Sequence, residues 1–156
     1  MKHWRKGGIV SGYSETNAAA VFTPLRRISG PTGDVLHGMK ASSAGYNGFG
    51  EAYFSTVLEK AVKGWKKHTR MTLNLIVVKG EIRIMTHDAA SGHFQAFHMT
   101  PERTENYGRL TVPPGLWVAF AGVAAGENML LNIADLEHDP AEAETLPLDA
   151  FAWTWS

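Results

Sequence analysis

The stretch KGWKKHTRMTLNLIVVKGEIRI (63–84) holds the pattern that decides the fold. Met71 to Val78 is a β-rich run, Lys79-Gly80 turns the chain, and Glu81 to Thr86 continues as a second run. Two such runs around a glycine-containing turn read as a hairpin. The part before it crowds three lysines, an arginine and one histidine around Trp65. Lys66 and His68 are two residues apart, so on a strand both project to the same face. His68 is either a residue for chemistry or a polar cap at the mouth of a barrel.

Working outward, the same punctuation recurs. Glycine (16) and proline (7) are spread along the chain and separate short segments, as strands joined by turns require. Further strands are expected over Val21 to Ile28, Asp34 to Lys40, Phe94 to Met99, Arg109 to Val112, Leu116 to Val123 and Asn128 to Asp135. Glu51 to Glu59 alternates, with Glu51, Tyr53, Ser55 and Val57 on one face. Asp139 to Glu144 has the composition of one helical turn. The tail, Phe151-Ala-Trp153-Thr-Trp155, is too aromatic to stand in solvent, so it packs on the barrel or on a second subunit. Many short strands with little helix indicate an all-β sandwich or barrel.

The chain has 156 residues, enough for one domain with a sizeable core. We expect a single domain over 1–156, with an N-terminal arm (1–20) and the aromatic tail (150–156). Lys plus Arg and Asp plus Glu both total 15, so the formal net charge is zero. That balance lacks the basic excess of nucleic-acid or membrane-surface binders, and neither partner is expected. With no cysteine, disulfides and thiolate metal sites are excluded. The absence fits a reducing cytoplasm. MKHWRKGGIVSGYSETN (1–17) lacks the apolar run of a signal peptide.

Two stretches carry a resemblance. KGWKKH…VVKGEIRIMTHD (63–88) and RLTVPPGLWVAF…NMLLNIADLEHDPAEAETLPLD (109–149) together resemble the dTDP-4-dehydrorhamnose 3,5-epimerase family of cupins. GFGEAYFS (48–55) is similar to the strand before that family's histidine strand. The resemblance covers roughly residues 21 to 149. It implies a double-stranded β-helix, the small jelly-roll barrel of cupins, and a homodimer. It also implies proton abstraction next to the 4-keto group of a nucleotide sugar, with no cofactor, in deoxysugar or polysaccharide synthesis. Such a reaction needs a base, an acid on the opposite side and donors for the enolate oxygen.

The chain departs from the family at each of these. The base position after Gly64-Trp65 holds Lys66. The late-strand tyrosine acid falls near Leu131 and Asn132, and the histidine after the Pro-x-Gly turn becomes Val118. His68 is then the candidate base, since a neutral imidazole suits proton abstraction at neutral pH. Lys66 would polarise a ketone. Glu51 or Tyr53, on the expected neighbouring strand, would orient the ring or supply the second proton transfer. His68 also matches the second of two histidines in the related dTDP-sugar 3,4-ketoisomerases, so ketoisomerisation is the rival reaction. A nucleotide-sugar-binding cupin without catalysis is the rival from another class.

Metal-binding cupins need two histidines at x and x+2, a nearby carboxylate and a late histidine. Only His68 fits, so no metal is expected. His87, His93, His98 and His138 read as surface or packing residues. For the ligand's diphosphate, Lys63, Arg70 and Arg109 are the candidate cations. Asn74 is assigned to the Lys66–His68 face if the strand stays regular. Trp117 is a candidate flank for a sugar or base, and Asn132 a candidate pocket residue.

Overall fold

The computed structural model describes residues 19–155. The expected N-terminal arm lies almost wholly outside the described residues. Among the described residues, twelve strands and three short 3-10 turns make up the regular structure. The strands are β1 (Val21–Pro24), β2 (Arg27–Ile28), β3 (Val35–Leu36), β4 (Glu51–Leu58), β5 (Val62–His68) and β6 (Leu73–Lys79). They continue with β7 (Ile82–Asp88), β8 (His93–Met99), β9 (Gly108–Val112), β10 (Trp117–Gly122), β11 (Glu127–Ala134) and β12 (Ala143–Thr145).

Two five-stranded sheets face each other, in the orders β1-β9-β6-β11-β4 and β12-β5-β10-β7-β8, and β2 and β3 form a small hairpin. All pairings between strands are antiparallel. Consecutive strands β5 and β6 lie in opposite sheets, as do β9 and β10, which is the jelly-roll crossing of a cupin barrel. Two expected strands are shorter than the sequence suggested. Val21 to Ile28 divides after Pro24, and only Val35–Leu36 of Asp34 to Lys40 pairs.

Alternation in the strands supplies the core. Leu73, Leu75 and Val77 of β6 point inward with Ile82 and Ile84 of β7, Leu110 and Val112 of β9, and Leu130 of β11. The Lys79-Gly80 hairpin works because Gly80 adopts φ +72°, and a Cβ there would strike the Asn128 side chain. Asn128 is buried and ties the turn down: its Oδ1 accepts from Glu81 N at 2.8 Å and its Nδ2 donates to Val57 O at 3.1 Å.

The aromatic tail packs on the barrel's own outer surface. Trp65 and Trp117 face outward from β5 and β10, and Phe151, Trp153 and Trp155 cover them. Trp65 is 1% exposed, meets Phe151 edge-on at 5.2 Å, and donates from Nε1 to Leu148 O at 3.3 Å. His87 stacks on Phe94 at 3.9 Å inside the same cluster.

Candidate functional site

A cavity of about 250 Å³ opens between the sheets where β4 faces β5. Its polar lining is Tyr53 and Ser55 from β4, Lys63, Lys66 and His68 from β5, and Asn132 from β11. Leu73, Leu75, Val118, Phe120 and Leu130 supply the apolar wall. No carboxylate lines it, so its charged side chains are cationic. Lys63 and Lys66 differ in parity, yet both reach the cavity because β5 carries a bulge. Val118 pairs with Lys66 and Phe120 with Lys63, so Gly64 and Trp65 both stand opposite Ala119.

His68 is buried, at 7% exposure. Its Nδ1 hydrogen-bonds with Glu142 Oε1. The other carboxylate oxygen, Oε2, accepts from the backbone N–H of Arg70 at 3.1 Å and of Met71 at 3.2 Å. Glu142 is itself 3% exposed. Burial pushes its carboxyl pKa up, but the His68 and backbone hydrogen bonds together outweigh burial and hold it below the usual range. Glu142 is therefore ionised at neutral pH and can only accept, which puts the proton of a neutral His68 on Nδ1. Nε2 is then left with a free lone pair, the arrangement of a general base.

Glu142 escaped the sequence reading. Asp139 caps the 3-10 turn Pro140–Glu142 by accepting from Ala141 N at 2.9 Å, and the chain then enters β12. Strand β12 pairs with β5 in the register Ala143↔His68, and Thr69 N donates to Glu142 O at 2.8 Å. The acidic Asp139–Glu144 segment was visible, as was its turn. Which of its carboxylates turns toward His68 depends on a pairing with β5 over 70 residues away. Ser55 shares the Glu51–Tyr53 face in the sequence pattern but is not a candidate there.

Tyr53 and Asn132 are cross-strand partners in the β4–β11 pairing. Asn132 Nδ2 donates to the Tyr53 hydroxyl oxygen at 3.0 Å, while Asn132 Oδ1 accepts from Asn74 N at 3.1 Å. A phenol that accepts from an amide keeps its own proton available to donate. Glu51, on the same face of β4, does not line the cavity.

Four candidates lie elsewhere. Asn74 faces out of the barrel, because the bend at Thr69–Thr72 changes the inward parity from even on β5 to odd on β6. Its side chain donates to Gly45 O at 3.1 Å and accepts from the Thr111 hydroxyl at 2.7 Å, which pins a loop on the outer face. Arg109 also faces outward, under that loop, and donates to Gly38 O and Ala44 O. Trp117 belongs to the outer aromatic cluster, with the Lys67 ammonium 4.9 Å above its ring. Arg70 is exposed and pairs with Asp139 at 3.2 Å. Among the described residues no group of three or more metal-ligating side chains comes together.

No protein-family model matches the sequence, and no curated protein matches it. Solved structures do. A dTDP sugar isomerase from Desulfovibrio desulfuricans G20 is 34% identical, with a TM-score of 0.81, over 87% of this chain and 90% of that one. A 3'-monoepimerase from Streptomyces bikiniensis, in complex with dTDP-quinovose, superposes with a TM-score of 0.73 at 16% identity, over 86% of this chain and 74% of that one. A sugar 3,4-ketoisomerase from Thermoanaerobacterium thermosaccharolyticum, in complex with TDP, gives 0.67 at 16% identity, over 83% of this chain and 88% of that one. The last two share the fold. On the barrel topology and the 34% identity across most of both chains, this chain belongs to the dTDP-sugar isomerase and epimerase family of cupins.

Proposed function

We propose that the chain isomerises a dTDP-linked 4-keto-6-deoxy sugar by moving a proton next to the ketone, in the manner of the 3,5-epimerases. The observation that carries this reading is the buried His68–Glu142 pair, opening on a cavity whose charged side chains are all cations. His68 Nε2 takes the proton from the carbon beside C4. Glu142 stabilises the imidazolium that results. Lys66 neutralises the enolate oxygen as it forms, and Lys63, at the exposed rim, meets the diphosphate. Tyr53 returns the proton to the opposite face, in place of the tyrosine the family carries on its late strand. Asn132 holds that phenol through the 3.0 Å hydrogen bond.

The spacing of Lys66 and His68 favours a second reading within the same chemistry, a 3,4-ketoisomerase, in which the proton passes from C3 to C4 through an enediol. Incubation with dTDP-4-keto-6-deoxyglucose and proton NMR of the products separates the two. Inverted C3 or C5 signals identify the epimerase, and a 3-keto product identifies the isomerase. Unchanged substrate that nevertheless binds means the pocket is a binding site without catalysis.

The working unit in this reading is a homodimer. Phe49, Phe54 and Leu58 are 64%, 63% and 62% exposed, beside a groove that includes Leu131 and Ile133 on the outer face of β4 and β11. An apolar sheet face of this kind suits a second copy. Light scattering of the purified chain tests it, and a monomer at micromolar concentration rules it out. A cytoplasmic location goes with the reading, since nucleotide sugars are made there and the chain has no cysteine. Among the described residues no helix is long and apolar enough to cross a membrane.

A further inference from the structure

A second cavity, of about 300 Å³, lies on the other side of the first sheet, outside the barrel. It is an open cleft bordered by β1 and by the loop over 37–44, with Arg109 of β9 in its wall. This volume is at the lower end of small-molecule sites, which run from about 300 to 1,000 Å³. Thr23, Arg26, His37, Lys40, Ser43 and Arg109 supply its polar side chains, and no carboxylate lines it.

Arg109 is the unusual member. It is 1% exposed, and its Nη1 and Nη2 donate to Gly38 O at 3.2 Å and Ala44 O at 2.8 Å. Its Nε is buried with no hydrogen-bond partner. Among the described residues no carboxylate forms an ion pair with Arg109, Arg26 or Lys40. Neighbouring Arg27, by contrast, is neutralised by Asp34 at 2.6 Å. Burial alone pushes the Arg109 guanidinium below its usual range. A buried cation with no counter-charge is costly, and an anion in the cavity removes that cost. The walls are also fixed in advance. Tyr107 donates to His37 O at 2.6 Å and Asn74 to Gly45 O at 3.1 Å, so the loop needs no ordering on binding.

We propose that this outer cavity is a second ligand site, for a phosphate group carried by inorganic phosphate or by a small phosphomonoester. Arg26 and Lys40 are its exposed cations, and Arg109 is the buried charge behind them. The site shares no residue with the barrel cavity, so it stands whether or not the sugar chemistry does.

The test is titration of the full chain with inorganic phosphate and, separately, glycerol 3-phosphate, followed by amide and arginine Nε–H NMR at constant ionic strength. The expected result is saturable binding of at least one, with shifts at His37, Lys40, Ser43 and the Arg109 Nε–H that chloride does not reproduce. The tighter of the two identifies the source of the phosphate group. Arg26→Ala with Lys40→Ala, both surface changes, weakens binding by about tenfold or more. Lys63→Ala, at the rim of the barrel cavity, leaves these shifts in place. Absence of saturable shifts with either probe overturns the proposal. So does binding that survives the double substitution but is lost in Lys63→Ala.

Discussion

Replacing Glu142 by glutamine removes the charge and turns one acceptor oxygen into a donor while keeping the shape, so it isolates what the carboxylate does for His68. The amide has two orientations, and each loses something. With its oxygen toward His68, the NH₂ group meets the N–H groups of Arg70 and Met71, leaving both without an acceptor. With its oxygen toward those N–H groups, the NH₂ faces His68 Nδ1 and forces the imidazole proton to Nε2. The second orientation satisfies more donors, and in it Nε2 can no longer accept a proton. The charge-assisted bond to the imidazolium is worth about 1.5–3 kcal/mol. At 1.36 kcal/mol per factor of ten, the lost bond alone lowers kcat by about 10- to 150-fold, and the tautomer change deepens the loss. The assay is turnover of dTDP-4-keto-6-deoxyglucose, alongside long-range nitrogen NMR of the His68 ring, which reports the tautomer directly. The same substitution also alters acid stability. The folded Glu142 pKa is depressed, so its contribution is present above the ordinary value of about 4.3 and is lost as pH falls through the lower folded value. Wild-type protein therefore loses stability across that window, and E142Q shows a flatter profile. A variant with kcat within about threefold of wild type and an unchanged His68 tautomer would refute the assigned role.

Three other changes test separate parts of the structure. Tyr53→Phe removes the phenol proton but leaves His68, so proton abstraction persists while product falls by about 10²- to 10⁴-fold; equal loss of both would remove Tyr53 from the acid role. Trp65→Ala uncouples the tail from β5 and costs about 3–5 kcal/mol, read by denaturant unfolding; a loss below about 1 kcal/mol would show that the tail cluster is not holding the strand. Gly80→Ala forces a side chain into φ +72° and against Asn128, costing about 1–2 kcal/mol or more, read as a drop in Tm.

The barrel was legible because its signals are local. Lys79-Gly80 between β-rich runs, Pro113-Pro114-Gly115 before β10, and the alternation of β4 each follow from a few neighbouring residues. The cavity was partly legible for the same reason: Lys66, His68 and Tyr53 follow from strand parity once the strands are known. Errors came where parity was carried across an irregularity. The bend at Thr69–Thr72 turned Asn74 outward, so an asparagine read as pocket lining instead holds the loop over 37–46. Arg109 sits next to inward-facing Leu110 and so faces away from the barrel. Trp117 precedes inward-facing Val118 and joins the outer aromatic layer. Glu142 required knowledge that β12 returns to pair with β5, a contact no local pattern announces.

The most direct measurement is solvent deuterium wash-in. Wild-type protein and His68→Ala are each incubated with dTDP-4-keto-6-deoxyglucose in D₂O, and the C3 and C5 protons are followed by NMR. With His68 as the base, wild type loses one or both signals to deuterium. His68→Ala then retains them while still shifting the ligand resonances on binding. Wash-in at the same rate in both proteins, or none in wild type despite binding, would contradict the assignment of His68 as the group that moves the proton.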